Sequence, residues 1–116
     1  MNWEFEHVAG PYAFTEGPAW DGEGLLFTDI PSSRIMRYEP VTGACPVFRA
    51  GTNEANGLML DKDGRLYACE GGSNPVSGAG RCIARYEPDG SRTVIGDRER
   101  GNRLNSPNDL AIDSQG

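Results

Sequence analysis

The stretch RIMRYEP at residues 34–40 ends in four residues, RYEP, that return unchanged in CIARYEP at residues 82–88. A second motif, D-x-x-G, occurs three times, at residues 21–24, 61–64 and 113–116. The copies of the two motifs alternate along the chain, so they mark a unit of roughly 40–50 residues. A repeat of that length that holds about four short strands is typical of a β-propeller blade.

Short apolar runs bounded by turn residues fill each unit. Runs of four to eight residues with such boundaries indicate β-strands, and their close spacing favours antiparallel hairpins. No stretch keeps its apolar residues at the spacing of an amphipathic helix. The predicted strands lie in residues 24–29, 34–38, 45–49, 57–61, 65–69, 82–86 and 92–95.

The predicted fold is therefore an all-β propeller. We expect two four-stranded blades, at about residues 15–50 and 55–97, and the first strand of a third blade within 107–116. The glycine-rich stretch 71–81 is predicted to be a longer flexible loop between two strands. Because a propeller ring takes typically four to eight blades, we expect residues 1–116 to be the N-terminal portion of one propeller domain, or several copies to assemble.

Composition excludes several classes of protein. Acidic residues outnumber basic ones by 17 to 11, which gives a net charge of −6 and argues against binding to nucleic acid. No apolar run is long enough to span a membrane. Three cysteines without paired spacing, and an N-terminus without the pattern of a signal peptide, favour a reducing compartment, and we expect the cytoplasm.

Oxygen-bearing side chains recur at one register position of the repeat. Glu16, Asn56 and Asn108 each stand five residues before the Asp of a D-x-x-G motif. The first strand of every blade lines the channel of a propeller, so these side chains should converge at one mouth of the channel. Carboxylate and amide oxygens are the ligands that Ca²⁺ selects. Asn and Asp are also ordinary turn formers, so the residues alone leave both a cation site and plain turns open.

Five stretches of the chain match a known family in order. They are EGPAW at 16–20, LFTDI at 26–30, NGL at 56–58, DKDGRL at 61–66 and RLNSPND at 103–109. On these motifs the chain resembles the SMP-30/gluconolactonase family. The resemblance implies a six-bladed β-propeller with one divalent cation at the channel mouth, which the family uses to hydrolyse small-molecule sugar lactones.

The resemblance also implies roles for individual residues. Glu16 corresponds to the family's first metal ligand, and Asn108 to an Asn that faces the same cavity as a metal ligand or substrate contact. Arg103 and Asn105 fall in the segment that borders the substrate pocket, and Asn56 sits on the equivalent rim of its own blade. The implied cation is Ca²⁺, with Zn²⁺ or Mn²⁺ as alternatives. The remaining ligands and the general base are expected beyond residue 116.

Two other functions stay open on the sequence. One is another metal-dependent hydrolase on the same scaffold, acting on phosphotriesters or on other lactones and esters. The other is a non-catalytic propeller that serves as a binding module. A Ser-His-Asp arrangement is excluded, because the single histidine, His7, lies in the N-terminal segment and no nucleophile motif accompanies it.

Overall fold

The computed structural model describes residues 1–72 and 80–116, and every regular element in those ranges is a β-strand. The first antiparallel sheet contains four strands in sequential order. They are β1 (Thr15–Trp20), β2 (Leu25–Asp29), β3 (Arg34–Tyr38) and β4 (Val47–Ala50). The second sheet repeats the arrangement with β5 (Ala55–Leu60), β6 (Leu66–Glu70), β7 (Cys82–Tyr86) and β8 (Arg92–Gly96).

The two sheets have the blade architecture that the repeat predicts, and the all-β assignment is confirmed. They pack together through β5, which lies against β1 and β2 of the first sheet. Alternate side chains of the strands face this contact, as the two-residue period of a strand requires. The buried core consists of Leu26, Ile35, Ala55, Leu58, Leu66, Ala68, Cys82, Ala84 and Tyr86.

The D-x-x-G motifs share one type of side-chain hydrogen bond in all three copies. The carboxylate of the leading residue, Asp21, Asp61 or Asp113, accepts a hydrogen bond from the backbone N–H two residues later. It accepts a second from the backbone N–H three or four residues later. A short acidic side chain can close a turn in this way without help from the rest of the fold. The repeat seen in the sequence is therefore a repeat of turn chemistry.

The RYEP motifs also share one interaction. In each copy the Glu accepts a hydrogen bond from the Arg two residues earlier, at 3.0 Å from Arg37 to Glu39 and 2.6 Å from Arg85 to Glu87. Arg37 additionally donates to the carboxylate of Asp21 at 2.6 Å, so in the first sheet the two motifs contact each other. The Arg–Glu pair of each RYEP motif thus holds the end of its strand in place.

Residues 107–116 contain no assigned strand in this structure. A strand requires a ladder of backbone hydrogen bonds to a neighbour. Here a backbone bond of 2.8 Å joins the N–H of Gly57 to the C=O of Asn108, and the D-x-x-G turn closes at the end of the segment. The segment runs beside β5 without pairing as a sheet, and the first strand of a third blade stays a prediction.

Two further features complete the described chain. A small hairpin that the sequence analysis did not predict joins β9 (Arg98–Glu99) to β10 (Asn102–Arg103). The predicted loop at 71–81 falls mostly on residues 73–79, which lie outside the described residues. Within residues 1–72 and 80–116 there is no helix long and apolar enough to cross a membrane.

Candidate functional site

The first strand of each sheet carries an irregularity at the same position. Pairing of β1 with β2 shifts between Glu16 and Ala19, and pairing of β5 with β6 shifts between Ala55 and Leu58. Such bulges bend a strand and redirect the side chains beside them. They place Glu16 and Asn56 at matching points of the two sheets, and we call each of these points the rim of its sheet.

Glycines let the successive rims approach each other closely. Gly17 has a φ of +57°, and a Cβ added there would lie 2.1 Å from the backbone oxygen of Asn56. At Gly57 an added Cβ would lie 2.7 Å from the backbone oxygen of Asn108 and 2.7 Å from Oδ1 of Asp109. No side chain fits into either gap. Gly17 and Gly57, which follow Glu16 and Asn56, are therefore required for this close approach.

These contacts form a cleft of about 220 Å³ between the sheets and the segment that follows them. The hydroxyl of Thr28, which is fully buried in β2, donates a hydrogen bond of 3.1 Å to the backbone oxygen of Asn56 and fixes the rim from behind. The cleft is lined by Glu16, Gly17, Pro18, Asn56, Gly57, Leu58, Asn108 and Asp109. The structure thus brings together the three residues that share one register position in the sequence.

The side-chain oxygens in the cleft are accessible. Glu16 and Asn108 are exposed, and Asn56 is half-buried. Within the described ranges, the carboxylate of Glu16 accepts a single long hydrogen bond of 3.4 Å, from the N–H of Gly17. Among the residues that the structure describes, no ion pair engages Glu16 and no hydrogen bond engages the side-chain amides of Asn56 or Asn108. Carboxylate and amide oxygens left available in this way suit a hard divalent cation.

Carboxylates and imidazoles alone do not make a metal site here. Across residues 1–72 and 80–116, no group of three or more His, Cys, Asp or Glu side chains lies close enough to hold an ion. A cation at the cleft would therefore need the amide oxygens of Asn56 or Asn108 beside the carboxylate of Glu16. Of these three residues, Glu16 supplies a strong anionic ligand and the two Asn side chains supply neutral oxygens.

Asp109 is a cleft residue to which the sequence analysis gave no role. Its Oδ1 accepts a hydrogen bond of 2.9 Å from the N–H of Leu110 and faces Gly57. The signal was present in the motif SPND, where Asp109 occupies the place that Gly17 and Gly57 take in the other two copies. It adds a second carboxylate to the cleft.

Arg103 and Asn105 do not line the cleft. Arg103, at the end of β10, is largely exposed and lies 3.9 Å from the carboxylate of Asp97. The Oδ1 of Asn105 accepts a hydrogen bond of 2.8 Å from Nη1 of Arg81. Both belong to the segment that leads into Asn108, on the side where β6 ends and β7 begins. Their contact with a substrate stays a prediction.

A buried ion pair lies at the end of β6. Glu70, the last residue of β6, is fully buried, and its carboxylate accepts hydrogen bonds from the guanidinium of Arg92 and, at 2.8 Å, from the hydroxyl of Tyr86. Burial, followed by the charge of Glu70, raises the pKa of Tyr86, so this hydroxyl stays a donor. Asn53 adds a long bond of 3.4 Å to the same carboxylate.

The first sheet has an acid at the matching position. Asp29, the last residue of β2, is fully buried and accepts hydrogen bonds from the backbone N–H groups of Ala13 and Phe14 and from Arg34. Burial alone would raise the pKa of Asp29, but these hydrogen bonds outweigh it and the pKa is lowered. The two buried acids fix the rim ends of both sheets and do not face the cleft.

The chain matches the family described as the SMP-30/gluconolactonase/LRE-like region over residues 14–116. It is 29% identical to a gluconolactonase of Zymomonas mobilis, over 96% of this chain and 33% of that protein. It is 44% identical to a pentonolactonase of Haloferax volcanii, over 46% of this chain and 19% of that protein.

A solved structure supports the same relationship. The gluconolactonase of Xanthomonas campestris superposes with a TM-score of 0.82 at 32% identity, over 94% of this chain and 34% of that one. The chain thus spans about a third of the length of the gluconolactonases it matches. Its two sheets superpose on part of a gluconolactonase structure, and the family match extends over nearly all of its residues. The chain belongs to the SMP-30/gluconolactonase/LRE-like family.

Proposed function

We propose that this chain forms part of a metal-dependent hydrolase that opens the ring of sugar lactones. The single observation that carries the proposal is the cleft in which Glu16, Asn56 and Asn108 meet, each from an equivalent point of the repeat. Two relatives are a gluconolactonase and a pentonolactonase, and both names denote enzymes that act on sugar lactones.

Glu16 and Asn108 are the proposed cation ligands. Both are exposed, and the Glu16 carboxylate supplies the negative charge that anchors a divalent ion. The amide oxygen of Asn108 adds no charge, so the site keeps the ion electrophilic. Oxygen ligands favour Ca²⁺, and Zn²⁺ or Mn²⁺ are the alternatives to be tested.

The reaction is the hydrolysis of a cyclic ester. A water oxygen adds to the lactone carbonyl carbon, the ring C–O bond breaks, and the proton lost by the water ends on the released ring oxygen, which becomes the hydroxyl of an open hydroxy acid. A divalent cation, when bound, polarises the carbonyl as a Lewis acid. Glu16 and Asn108 would hold that cation through their side-chain oxygens, while Asn56 offers its amide to the substrate from the neighbouring rim. We assign the general base to a residue outside these 116.

Arg103 and Asn105 are the proposed contacts for the sugar hydroxyls. Both side chains are exposed and carry N–H donors, and both lie in the segment that leads to Asn108. Hydroxyl and carbonyl oxygens of a polyhydroxy lactone accept such hydrogen bonds.

A cytoplasmic location is also proposed, because all three cysteines are free thiols.

The test uses the protein that carries this chain. We expect it to hydrolyse glucono-1,5-lactone and release no product from a phosphotriester. Activity should fall after treatment with a chelator and return when Ca²⁺ is added. Hydrolysis of the phosphotriester without hydrolysis of the lactone would favour a phosphotriesterase on the same scaffold. The absence of both activities would favour a non-catalytic binding module.

A further inference from the structure

Arg81 touches the segment that leads into the cleft. Its Nη1 donates a hydrogen bond of 2.8 Å to Oδ1 of Asn105. No other hydrogen bond or ion pair engages the side chain of Asn105 in the part of the chain that the structure describes. The geometry points to Arg81 as a positioning residue that fixes the orientation of the Asn105 amide for ligand binding.

The contact decides which way the amide faces. An Asn side chain has one carbonyl oxygen and one NH₂ group, which exchange places when the amide turns by half a rotation. A guanidinium has only donors, so it forms a hydrogen bond with the amide oxygen and cannot form one with the NH₂ group. Because Arg81 holds Oδ1, the two N–H donors of Asn105 face away from Arg81. Asn105 then recognises an oxygen acceptor, such as a carbonyl or hydroxyl, and disfavours a donor.

The backbone on each side of Arg81 is held firmly. The C=O of the preceding Gly80 accepts a hydrogen bond of 3.2 Å from Nδ2 of Asn53, which is itself buried. The following residue, Cys82, begins β7 and is 2% exposed. An arginine whose backbone is fixed on both sides loses less freedom when it binds Asn105 than one on a mobile loop.

The residue that follows Asn105 makes a second contact, with the backbone just after β6. The hydroxyl of Ser106 donates to the C=O of Gly71 at 3.4 Å. Asn105 is three residues from Asn108, so the chain can separate their Cα atoms by no more than about 11 Å. Arg81 therefore acts on a group within reach of the cleft, although it lies outside the cleft itself.

The inference deepens the proposed function and rests on it for the class of ligand, a polyhydroxy lactone and its open acid. The experiment compares Arg81→Met, Arg81→Lys and Asn105→Ala with the unchanged protein that carries this chain. Arg100→Met is the matched control, because Arg100 is a highly exposed arginine that pairs only with its neighbour Glu99 among the described residues. Two quantities are measured: the kcat and KM for glucono-1,5-lactone, and the Kd for gluconate by calorimetry.

We expect Arg81→Met to raise KM and the gluconate Kd by about three- to tenfold, the range for one net hydrogen bond, with little change in kcat. Arg81→Lys, which can still donate to Oδ1, should recover most of the loss. In the Asn105→Ala background, Arg81→Met should have no further effect, whereas a purely structural role would add its own loss.

Each outcome is decisive. Gluconate binding that weakens in Arg81→Met, in a protein that does not hydrolyse the lactone, would support the inference and reject the proposed hydrolase. Normal hydrolysis with an Arg81→Met variant that matches Arg100→Met would overturn the inference and leave the proposed function intact. A protein that neither binds gluconate nor hydrolyses the lactone would overturn both.

Discussion

Replacing Gly17 with alanine tests whether the two sheets meet at the rim as described. The new Cβ would lie 2.1 Å from the backbone oxygen of Asn56, and the residue would keep a φ of +57°. A left-handed conformation costs an L-residue about 1–2 kcal/mol. Forcing an extra methyl into a packed contact costs about 1–3 kcal/mol more. The loss of unfolded-state freedom offsets about 0.4–1 kcal/mol of this cost. We therefore expect Gly17→Ala to lower the free energy of unfolding by about 1–4.5 kcal/mol.

Gly43 provides the matched control. It has a φ of +75°, and nothing lies within 4 Å of an added Cβ. Gly43→Ala therefore carries only the conformational cost, about 1 kcal/mol after the loss of unfolded-state freedom. The assay is urea unfolding of both variants in the protein that carries this chain, with midpoints compared at a common m-value. Equal losses of stability in the two variants would refute the close approach of the rims.

Three further predictions concern charge and thiols. Burial alone would raise the pKa of Asp61, but hydrogen bonds from the backbone and guanidinium of Arg65 lower it to about 2 from the ordinary 3.8. Asp61→Asn should therefore be less stable than the wild type at pH 7. Thermal unfolding should show that this difference in stability disappears as the pH falls from 4 through 2. Glu70→Gln should cost about 3 kcal/mol in urea unfolding, because it leaves Arg92 without its partner, and a loss below 1 kcal/mol would contradict the ion pair. Burial raises the pKa of Cys69 and Cys82 to about 11, so iodoacetamide at pH 8 should label Cys45 first in the native protein, and mass spectrometry that finds Cys69 or Cys82 labelled equally fast would contradict the packing.

The repeat made the sheets and the cleft predictable from the sequence. The D-x-x-G turns depend on an Asp and the backbone that follows it, so local sequence suffices to find them. Counting back from each Asp located Glu16, Asn56 and Asn108, because equivalent positions of a repeat occupy equivalent places in its fold. The structure brings all three to one cleft.

Other features depend on partners that sequence patterns do not reveal. Glu70 and Arg92 are 22 residues apart, and a carboxylate at the end of a strand gives no sign that it will be buried. The β9–β10 hairpin has two-residue strands of exposed polar side chains, so no apolar alternation marks it. Residues 107–116 have the sequence of a strand that follows the repeat, but strand pairing needs a neighbouring chain segment as well as a pattern.

The central claim is that Glu16 provides the charge that holds a cation in the cleft. The most direct test is calorimetric titration of Ca²⁺ into the protein that carries this chain, its Glu16→Gln variant and a Glu23→Gln control from an exposed turn. We predict one binding event in the wild type and the control, and at least about a tenfold loss of affinity in Glu16→Gln. Equal affinities in all three proteins would contradict the account.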